Sequence, residues 1–219
     1  MQTPIPPGTA PREVLVFDLD GTLSDPAEGI GKSFDFALRR HGHPPLRADQ
    51  VSFVIGPPLD VSFRALTGVD DAGHLSALVA AYRERYAEVG YAENRLYPGI
   101  PDALAALRGA GRRLGVCSSK RVDFCEQILA LFGLRAHFDF VSGGDVGVAK
   151  AQQLGELLAS GAIGGCATMI GDRAVDVQAA QAHGLASVGV LWGHGSRLEL
   201  EQAGAQRLLA TPNDLLTLA

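Results

Sequence analysis

Two carboxylates directly follow a short apolar run near the start of the chain. Asp18 and Asp20 come after the sequence Val-Leu-Val-Phe at 14–17. Four consecutive apolar residues are typical of a parallel strand buried on both faces, and open α/β sheets bind ligands beyond the carboxyl ends of such strands. Because residues two apart in an extended chain project to one side, the two carboxylates can share a metal ion or divide the roles of nucleophile and general acid. Gly21 lets the backbone turn sharply towards a ligand.

An ordinary turn is the alternative interpretation of the same residues. Asp-Gly pairs are frequent in turns, and Asp20 would then cap the next helix. A second aspartate at the end of the strand is harder to explain structurally, so the decision depends on the rest of the chain.

Two more polar residues follow predicted strands. Ser118 comes after the stretch Leu-Gly-Val-Cys at 114–117, where its hydroxyl can donate to a bound anion or cap the following helix. Lys150 begins a predicted helix after the glycine-rich loop 143–147. A cation at a helix N-terminus opposes the helix dipole, which indicates an anion nearby, although a solvated surface lysine remains an alternative.

Another pair of carboxylates follows the apolar run that ends at Gly171. Asp172 comes directly after it, and Asp176 lies four residues later. Oxygen ligands of this kind suit Mg²⁺, which binds one or two carboxylates and bridges to substrate phosphate. As a pair of helix caps, the two aspartates would need no metal.

The elements that must position these residues alternate along most of the chain. Strands are predicted at 14–17, 113–117, 138–141, 167–170 and 186–191, and helices at 101–110, 121–132, 150–160 and 175–183. This alternation predicts a parallel sheet wrapped by helices. Residues 24–96 instead show helical periodicity, which predicts an all-helical insert between the first strand and the rest.

Composition limits the class of protein. The chain has 219 residues, 47% of them hydrophobic, which is enough for one domain with a smaller inserted one. Its longest apolar stretches are too short to span a membrane, and the proline-rich first dozen residues lack the pattern of a signal peptide, so we expect a soluble protein with a flexible lead-in. A net charge of −5 without a basic patch argues against nucleic-acid binding and favours a small partner.

Cysteine usage predicts the compartment. Cys117, Cys125 and Cys166 are odd in number, widely spaced and set in apolar sequence. They are expected to be buried free thiols in a reducing environment, which favours a cytoplasmic location.

Taken in order, the motifs Asp-x-Asp-Gly-Thr, Ser, Lys and Gly-Asp-x-x-x-Asp resemble the haloacid dehalogenase superfamily. The resemblance covers nearly the whole chain and implies a Rossmann-like α/β core at 1–23 and 97–219 with a helical C1-type cap domain at 24–96. Within the superfamily the chain is most similar to the branch of phosphoglycolate phosphatases and bacterial 5′-nucleotidases. The stretches that support this are 55–59, 97–100 and 190–196.

The resemblance also implies roles for individual residues. Asp18 would attack phosphorus and become an aspartyl phosphate, while Asp20 would protonate the leaving oxygen and later activate water. Ser118 would hydrogen-bond a phosphoryl oxygen, and Lys150 would balance the charge of nucleophile and phosphate. Substrate binding would also involve Gly21, Ser119 and Lys120.

The family implies Mg²⁺ as cofactor. The ion would be held by the Asp18 carboxylate, the main-chain carbonyl of Asp20 and Asp172, with Asp176 in support. Two departures from the family pattern stand out: Ala151 follows the motif lysine where proline is frequent, and Ser118 stands where threonine is frequent. Neither is expected to change the chemistry.

The residues favour phosphate ester hydrolysis over the other reactions of the superfamily. A dehalogenase attacks carbon and needs no acid for an oxygen leaving group, so Asp20 and a metal site favour phosphoryl transfer. 2-Phosphoglycolate and nucleoside 5′-monophosphates are the leading substrates, and a phosphomutase of the β-phosphoglucomutase type or a non-enzymatic binding protein is less favoured.

Substrate choice is expected to lie in the cap, where the sequence is less informative. Lys32, Arg64 and Arg83 are candidates for contacts with a substrate carboxylate or second phosphate, but each also fits a solvated helix charge. His194, in the loop after the last predicted strand, either touches a leaving group or only forms a turn.

Overall fold

A computed structural model of the protein describes residues 13–145 and 147–219. The strands are β1 (Val14–Phe17), β2 (Ser24–Asp25), β3 (Arg95–Leu96), β4 (Arg113–Ser118), β5 (Phe140–Gly143), β6 (Thr168–Gly171), β7 (Ala186–Val190) and β8 (Arg207–Leu209). The helices are α1 (Ala27–Arg40), α2 (Leu59–Thr67), α3 (Ala72–Glu88), α4 (Ile100–Gly109), α5 (Val122–Leu131), α6 (Lys150–Ala159), α7 (Ala174–Gln181) and α8 (Arg197–Gln202). The expected flexible lead-in at 1–12 lies outside the described residues.

Six strands form one parallel sheet in the order β5-β4-β1-β6-β7-β8. Phe17 at the end of β1 is in register with Val116 of β4 and Ile170 of β6. The carboxyl ends of these three strands therefore lie side by side, and the residues that follow them meet at one edge of the sheet. The predicted α/β fold with a parallel sheet is confirmed.

β1 explains why the sheet needs helices on both faces. Leu15 and Phe17 belong to the hydrophobic cluster on one face, whereas Val14 and Val16 belong to the cluster on the other. Alternate residues of a strand point to opposite faces, so an unbroken apolar run fits only a strand covered on both sides.

The segment between β2 and β3 contains α1, α2 and α3, and it has a hydrophobic cluster of its own. Three aromatic rings pack together there: the ring centroid of Phe34 lies 4.6 Å from that of Phe63 and 4.9 Å from that of Tyr82. Phe124 of α5 joins the same cluster. The division into domains at residues 23/24 and 96/97 stays a prediction.

Some elements differ from the sequence-based expectations. The segment 24–96 is not helical at its ends, because Ser24 pairs with Leu96 and Asp25 with Arg95 in a short antiparallel ribbon. A ribbon lets the chain leave and re-enter the sheet region at one point, which hydrophobic periodicity does not report. The strand expected at 138–141 is found at Phe140–Gly143, and β8 and α8 were not predicted.

Two expectations from composition can also be compared with the structure. Cys117 and Cys125 are buried free thiols, but the expectation for Cys166 is wrong, because it is exposed in the loop before β6. None of the helices in the described part of the chain has both the length and the apolar character that crossing a bilayer requires.

Candidate active site

Asp18 is buried where three strand ends meet. Its backbone N–H donates to the carbonyl oxygen of Ile170 at 2.8 Å, which ties the end of β1 to β6. Its side chain is only 6% exposed. Ser118, the last residue of β4, is also buried and lines the same pocket as Asp18. The N-cap of the following helix α5 is Arg121, so the interpretation of Ser118 as a helix cap is wrong.

Lys150 is the first residue of α6 and is buried against two carboxylates. Its Nζ lies 3.1 Å from Asp18 Oδ1 and also contacts Asp176 Oδ1. Burial alone would lower the pKa of Lys150, but the negative charges of Asp176 and Asp18 outweigh it and hold the pKa above its usual value. Lys150 is therefore not a solvated surface lysine, and its position at a helix start is explained by the anions that face it.

Asp18, Asp172 and Asp176 form a buried acidic group. One oxygen of each lies within 4.8 Å of the others. Burial, followed by the charges of Asp176 and Asp18, raises the pKa of Asp172 to about 8, and burial raises the pKa of Asp176 to about 6. Asp172 Oδ1 is buried without a hydrogen-bond partner among the described residues. Crowded, buried carboxylate oxygens fit a small hard cation, and a divalent ion would compensate their mutual repulsion.

Asp176 has a second function in the fold. Its Oδ2 accepts a hydrogen bond from the backbone N–H of Arg173 at 3.0 Å, at the start of α7. The N-cap of α7 is Arg173, so the interpretation of Asp172 and Asp176 as a pair of helix caps is wrong; Asp176 supports the helix start from the third position with one oxygen, while its other oxygen faces Lys150.

Asp20 lines the pocket but is not a member of the acidic group. Its Oδ2 lies 2.8 Å from Lys120 Nζ, and its Oδ1 is buried without a hydrogen-bond partner among the described residues. Burial raises the pKa of Asp20 despite the opposing effect of Lys120. A metal shared by both carboxylates of the Asp-x-Asp pair is therefore not supported, and a ligand role for the Asp20 main-chain carbonyl stays a prediction. The helix-cap alternative for Asp20 is wrong, because the N-cap of α1 is Pro26.

Lys120 connects Asp20 to the helical segment. Its Nζ donates to Tyr86 Oη and lies 4.4 Å from the centroid of that ring. Tyr86 belongs to α3, more than thirty positions before Lys120 in the sequence. The sequence patterns did not single out Tyr86, because no motif links a residue of the helical segment to Lys120.

Glycines allow the chain to pack closely against Asp172. Gly21 has a φ of +82°, and a Cβ there would lie 2.2 Å from Asp172 Oδ2. A Cβ on Gly195 would lie 1.8 Å from the Asp172 carbonyl oxygen. The backbone N–H of His194 donates to Asp172 Oδ2 at 2.7 Å. The Gly-His-Gly loop therefore fixes the orientation of this carboxylate.

The His194 side chain faces the antiparallel ribbon. Its Nε2 lies 3.1 Å from Asp25 Oδ1 at the end of β2. The interpretation of the loop as only a turn is thus too narrow, since it orients Asp172 through the backbone and contacts Asp25 through the ring.

The sequence also matches a known protein family over most of its length. Residues 15–190 match the family described as haloacid dehalogenase-like hydrolase. The chain belongs to this family. The resemblance drawn from the four motifs is confirmed, and the haloacid dehalogenase-like fold accounts for the parallel sheet and for the site at its carboxyl edge.

The chain is similar to curated proteins whose names describe different activities. The 5′-nucleotidase of Pseudomonas aeruginosa is 40% identical over 190 residues, which cover 85% of this chain and 86% of that protein. Tyrosine-protein kinase PtkA of Mycobacterium tuberculosis is 37% identical over 193 residues. These residues cover 86% of this chain but only 65% of PtkA. A phosphoglycolate phosphatase of Yersinia pestis is 31% identical over 210 residues, which cover 92% of this chain and 90% of that protein.

A solved structure supports the same fold over nearly the whole length. The crystal structure of a predicted phosphatase from Clostridium acetobutylicum superimposes with a TM-score of 0.89 at 34% identity, covering 94% of this chain and 97% of that chain. The resemblance therefore extends through the helical segment as well as the sheet.

The remaining predicted contacts divide into two groups. Ser119, Lys120 and Arg83 line the pocket with Asp18 and Asp20. Two candidates, by contrast, do not line it as the described residues define it: Lys32 pairs with Glu28 and Glu93, each at 2.8 Å, and Arg64 pairs with Asp70 at 2.6 Å. Both are half-exposed helix charges, so the solvated alternative is correct for them.

Proposed function

We propose that the chain is a Mg²⁺-dependent phosphatase that hydrolyses small phosphate monoesters through an aspartyl phosphate. The observation that carries this proposal is the arrangement around Asp18, which lies between Lys150 and the acidic group, with Asp20 in the same pocket. A nucleophile, a cation and an acid thus lie at one edge of the sheet.

In the first half of the reaction, a carboxylate oxygen of Asp18 attacks phosphorus in line, and the bond from phosphorus to the ester oxygen breaks. Asp20 gives its proton to that leaving oxygen, so a neutral alcohol departs. The raised pKa of Asp20 supports this role, because the carboxyl must be protonated when the ester bond breaks.

In the second half, Asp20 accepts a proton from water, and the water oxygen attacks phosphorus. The bond to Asp18 breaks, inorganic phosphate leaves, and both carboxyl groups return to their starting states. The Ser118 hydroxyl donates a hydrogen bond to a phosphoryl oxygen, and the positive charge of Lys150 lies next to the attacking carboxylate.

The acidic group would hold Mg²⁺ through Asp18 and Asp172, with Asp176 orienting Lys150 beside it. When bound, the ion offsets the repulsion between the Asp18 carboxylate and a phosphate dianion. A carboxylate cannot approach phosphorus without such compensation.

Two substrate classes follow from the relatives, namely 2-phosphoglycolate and nucleoside 5′-monophosphates. The helical segment 24–96 would act as a cap that covers the site and excludes water from it. The two buried thiols, Cys117 and Cys125, support a cytoplasmic location.

Phosphate release tests the proposal. Release from a panel of phosphate monoesters is measured with Mg²⁺ and with a chelator, for the native chain, Asp18→Asn and Asp102→Asn. Asp102 is an exposed aspartate in the first turn of α4 and serves as the matched control. We expect release that requires Mg²⁺, survives Asp102→Asn and disappears in Asp18→Asn. Full activity in Asp18→Asn, or in chelator, would contradict the proposal.

A further inference from the structure

The pocket that Asp18 and Asp20 line also lies against the helical segment, and its lining contains acidic and basic side chains in equal number. Its cationic residues in the described part of the chain are Arg83, Lys120 and Arg121. Arg83 and Arg121 each have a carboxylate partner outside the catalytic residues, and Lys120 is held by Asp20 and Tyr86 next to the reacting atoms, so the lining offers no unengaged cation to a second anionic group on the substrate.

The three pairs are formed by different partners. Arg83 Nη2 lies 2.5 Å from Asp145 Oδ1, and Lys120 Nζ lies 2.8 Å from Asp20 Oδ2. Arg121 Nη2 lies 2.8 Å from Asp123 Oδ2, and its guanidinium lies 5.4 Å from the Phe124 ring centroid.

Aromatic rings form one wall of the same pocket. Tyr82 and Tyr86 are stacked, with ring planes 10° apart and centroids 5.4 Å apart. Phe124 meets Tyr86 edge to face at 5.0 Å. Ile30 and Leu59 continue the apolar lining beside the rings. A planar uncharged ring gains from burial against such a wall, both through apolar area and through ring-to-ring contact.

We propose that the alcohol released from the ester is uncharged and carries an aromatic ring, as does the nucleoside released from a nucleoside 5′-monophosphate. This assignment rests on the proposed phosphatase function. The carboxylate of 2-phosphoglycolate would be buried among apolar side chains and cations that are already paired. Burying a charge without a partner is strongly unfavourable, so the pocket selects against that substrate.

A panel of three esters separates the contributions of charge and ring. We expect kcat/KM to fall in the order adenosine 5′-monophosphate, ribose 5-phosphate, 2-phosphoglycolate, with at least about a tenfold difference between first and last, equivalent to about 1.4 kcal/mol. Equal or higher kcat/KM on 2-phosphoglycolate overturns the assignment while leaving the phosphatase function intact. Equal activity on ribose 5-phosphate and the nucleotide overturns the role of the ring. Absence of phosphate release from all three, and from p-nitrophenyl phosphate, contradicts the phosphatase function itself.

Removing one partner carboxylate tests the charge argument directly. Asp145→Asn releases the charge of Arg83, so we expect the ratio of kcat/KM for 2-phosphoglycolate to that for the nucleotide to rise at least about threefold, or about 0.65 kcal/mol. Asp70→Asn is the matched control, because it releases Arg64 on the same helical segment but outside the pocket, and it should leave the ratio unchanged. An unchanged ratio in Asp145→Asn, or an equal rise in both variants, overturns the charge argument.

Replacing one aromatic side chain by an aliphatic one tests the contribution of the aromatic wall. Phe124→Leu keeps an apolar side chain in the buried cluster and is expected to raise KM for the nucleotide more than for ribose 5-phosphate. Thermal unfolding of the variant verifies that it is folded. A folded variant with equal changes for both esters overturns the ring contact.

Discussion

Lys150 Nζ lies 3.1 Å from Asp18 Oδ1, and both side chains are almost completely buried. The pair joins the start of α6 to the end of β1, and Asp176 contributes a second carboxylate to the same ammonium group. The only lysine of this buried group therefore compensates two carboxylates that are almost completely buried.

Replacing this lysine should cost both stability and activity. Lys150→Met leaves two buried carboxylates without their cation, which we expect to lower the free energy of unfolding by roughly 3–5 kcal/mol in metal-free buffer. Urea denaturation measures the change. Lys32→Met is the control, because Lys32 also touches two carboxylates but is half-exposed, and it should destabilise the protein far less than Lys150→Met. Equal losses in the two variants would show that burial does not govern the Lys150 contacts.

Gly21 and Gly42 provide a matched pair for the close packing around Asp172. Both have positive φ, +82° and +75°, but a Cβ on Gly42 meets nothing within 4 Å. Gly42→Ala should therefore cost only the backbone strain of about 1–2 kcal/mol. Gly21→Ala places a Cβ 2.2 Å from Asp172 Oδ2 in addition to the backbone strain. This variant should therefore be less stable than Gly42→Ala, and its Tm should no longer increase on addition of Mg²⁺. A Gly21→Ala protein that is as stable as Gly42→Ala and keeps its response to Mg²⁺ would contradict the packing argument.

The acidic group predicts how metal and pH affect stability. Asp172 has a folded-state pKa of about 8 against an ordinary value of 3.8, so between about pH 4 and pH 8 the native state binds more protons than the unfolded state. The stability of the metal-free protein should then fall as pH rises through this window. Mg²⁺ binds the deprotonated carboxylate, so it should raise Tm more at about pH 8 than at about pH 6.

Asp172→Asn isolates the contribution of this carboxylate. The variant should lose part of the pH-dependent fall in metal-free Tm and show no increase in Tm with Mg²⁺. The same pH dependence in the native chain and the variant would mean that other groups cause it.

Asp20→Asn should discriminate between leaving groups. Without a proton donor, esters of poorly acidic alcohols should lose roughly 10²–10⁴-fold in rate, whereas p-nitrophenyl phosphate, whose leaving group needs little protonation, should lose less. The measurement is kcat/KM for p-nitrophenyl phosphate and for ribose 5-phosphate in the native chain and the variant. Equal losses on both esters would argue against Asp20 as general acid.

The sequence predicted those parts of the fold that depend on local pattern. The apolar run before Asp18, the strand that ends at Ser118 and the helix that begins at Lys150 are all present in the structure. Parallel strands end at one edge of a sheet, so these local patterns were sufficient to predict that the chemistry-bearing residues would meet.

Contacts between distant segments were not predictable in this way. Tyr86 reaches Lys120 because the helical segment packs over the sheet edge, and the backbone of His194 reaches Asp172 because the loop after β7 folds back on the site. No local periodicity encodes either contact. The short β2–β3 ribbon escaped prediction for the same reason, since two residues are too few to show an alternating pattern.

Covalent labelling of Asp18 tests directly whether the reaction passes through an aspartyl phosphate. Phosphate ester labelled with ³²P is mixed with the enzyme and Mg²⁺, the reaction is quenched in acid within one turnover, and the protein is digested and mapped. We expect a hydroxylamine-sensitive label on the peptide that contains Asp18, and no such label in Asp18→Asn. Phosphate release without any labelled peptide, or a label at another residue that persists in Asp18→Asn, would contradict an aspartyl phosphate at Asp18.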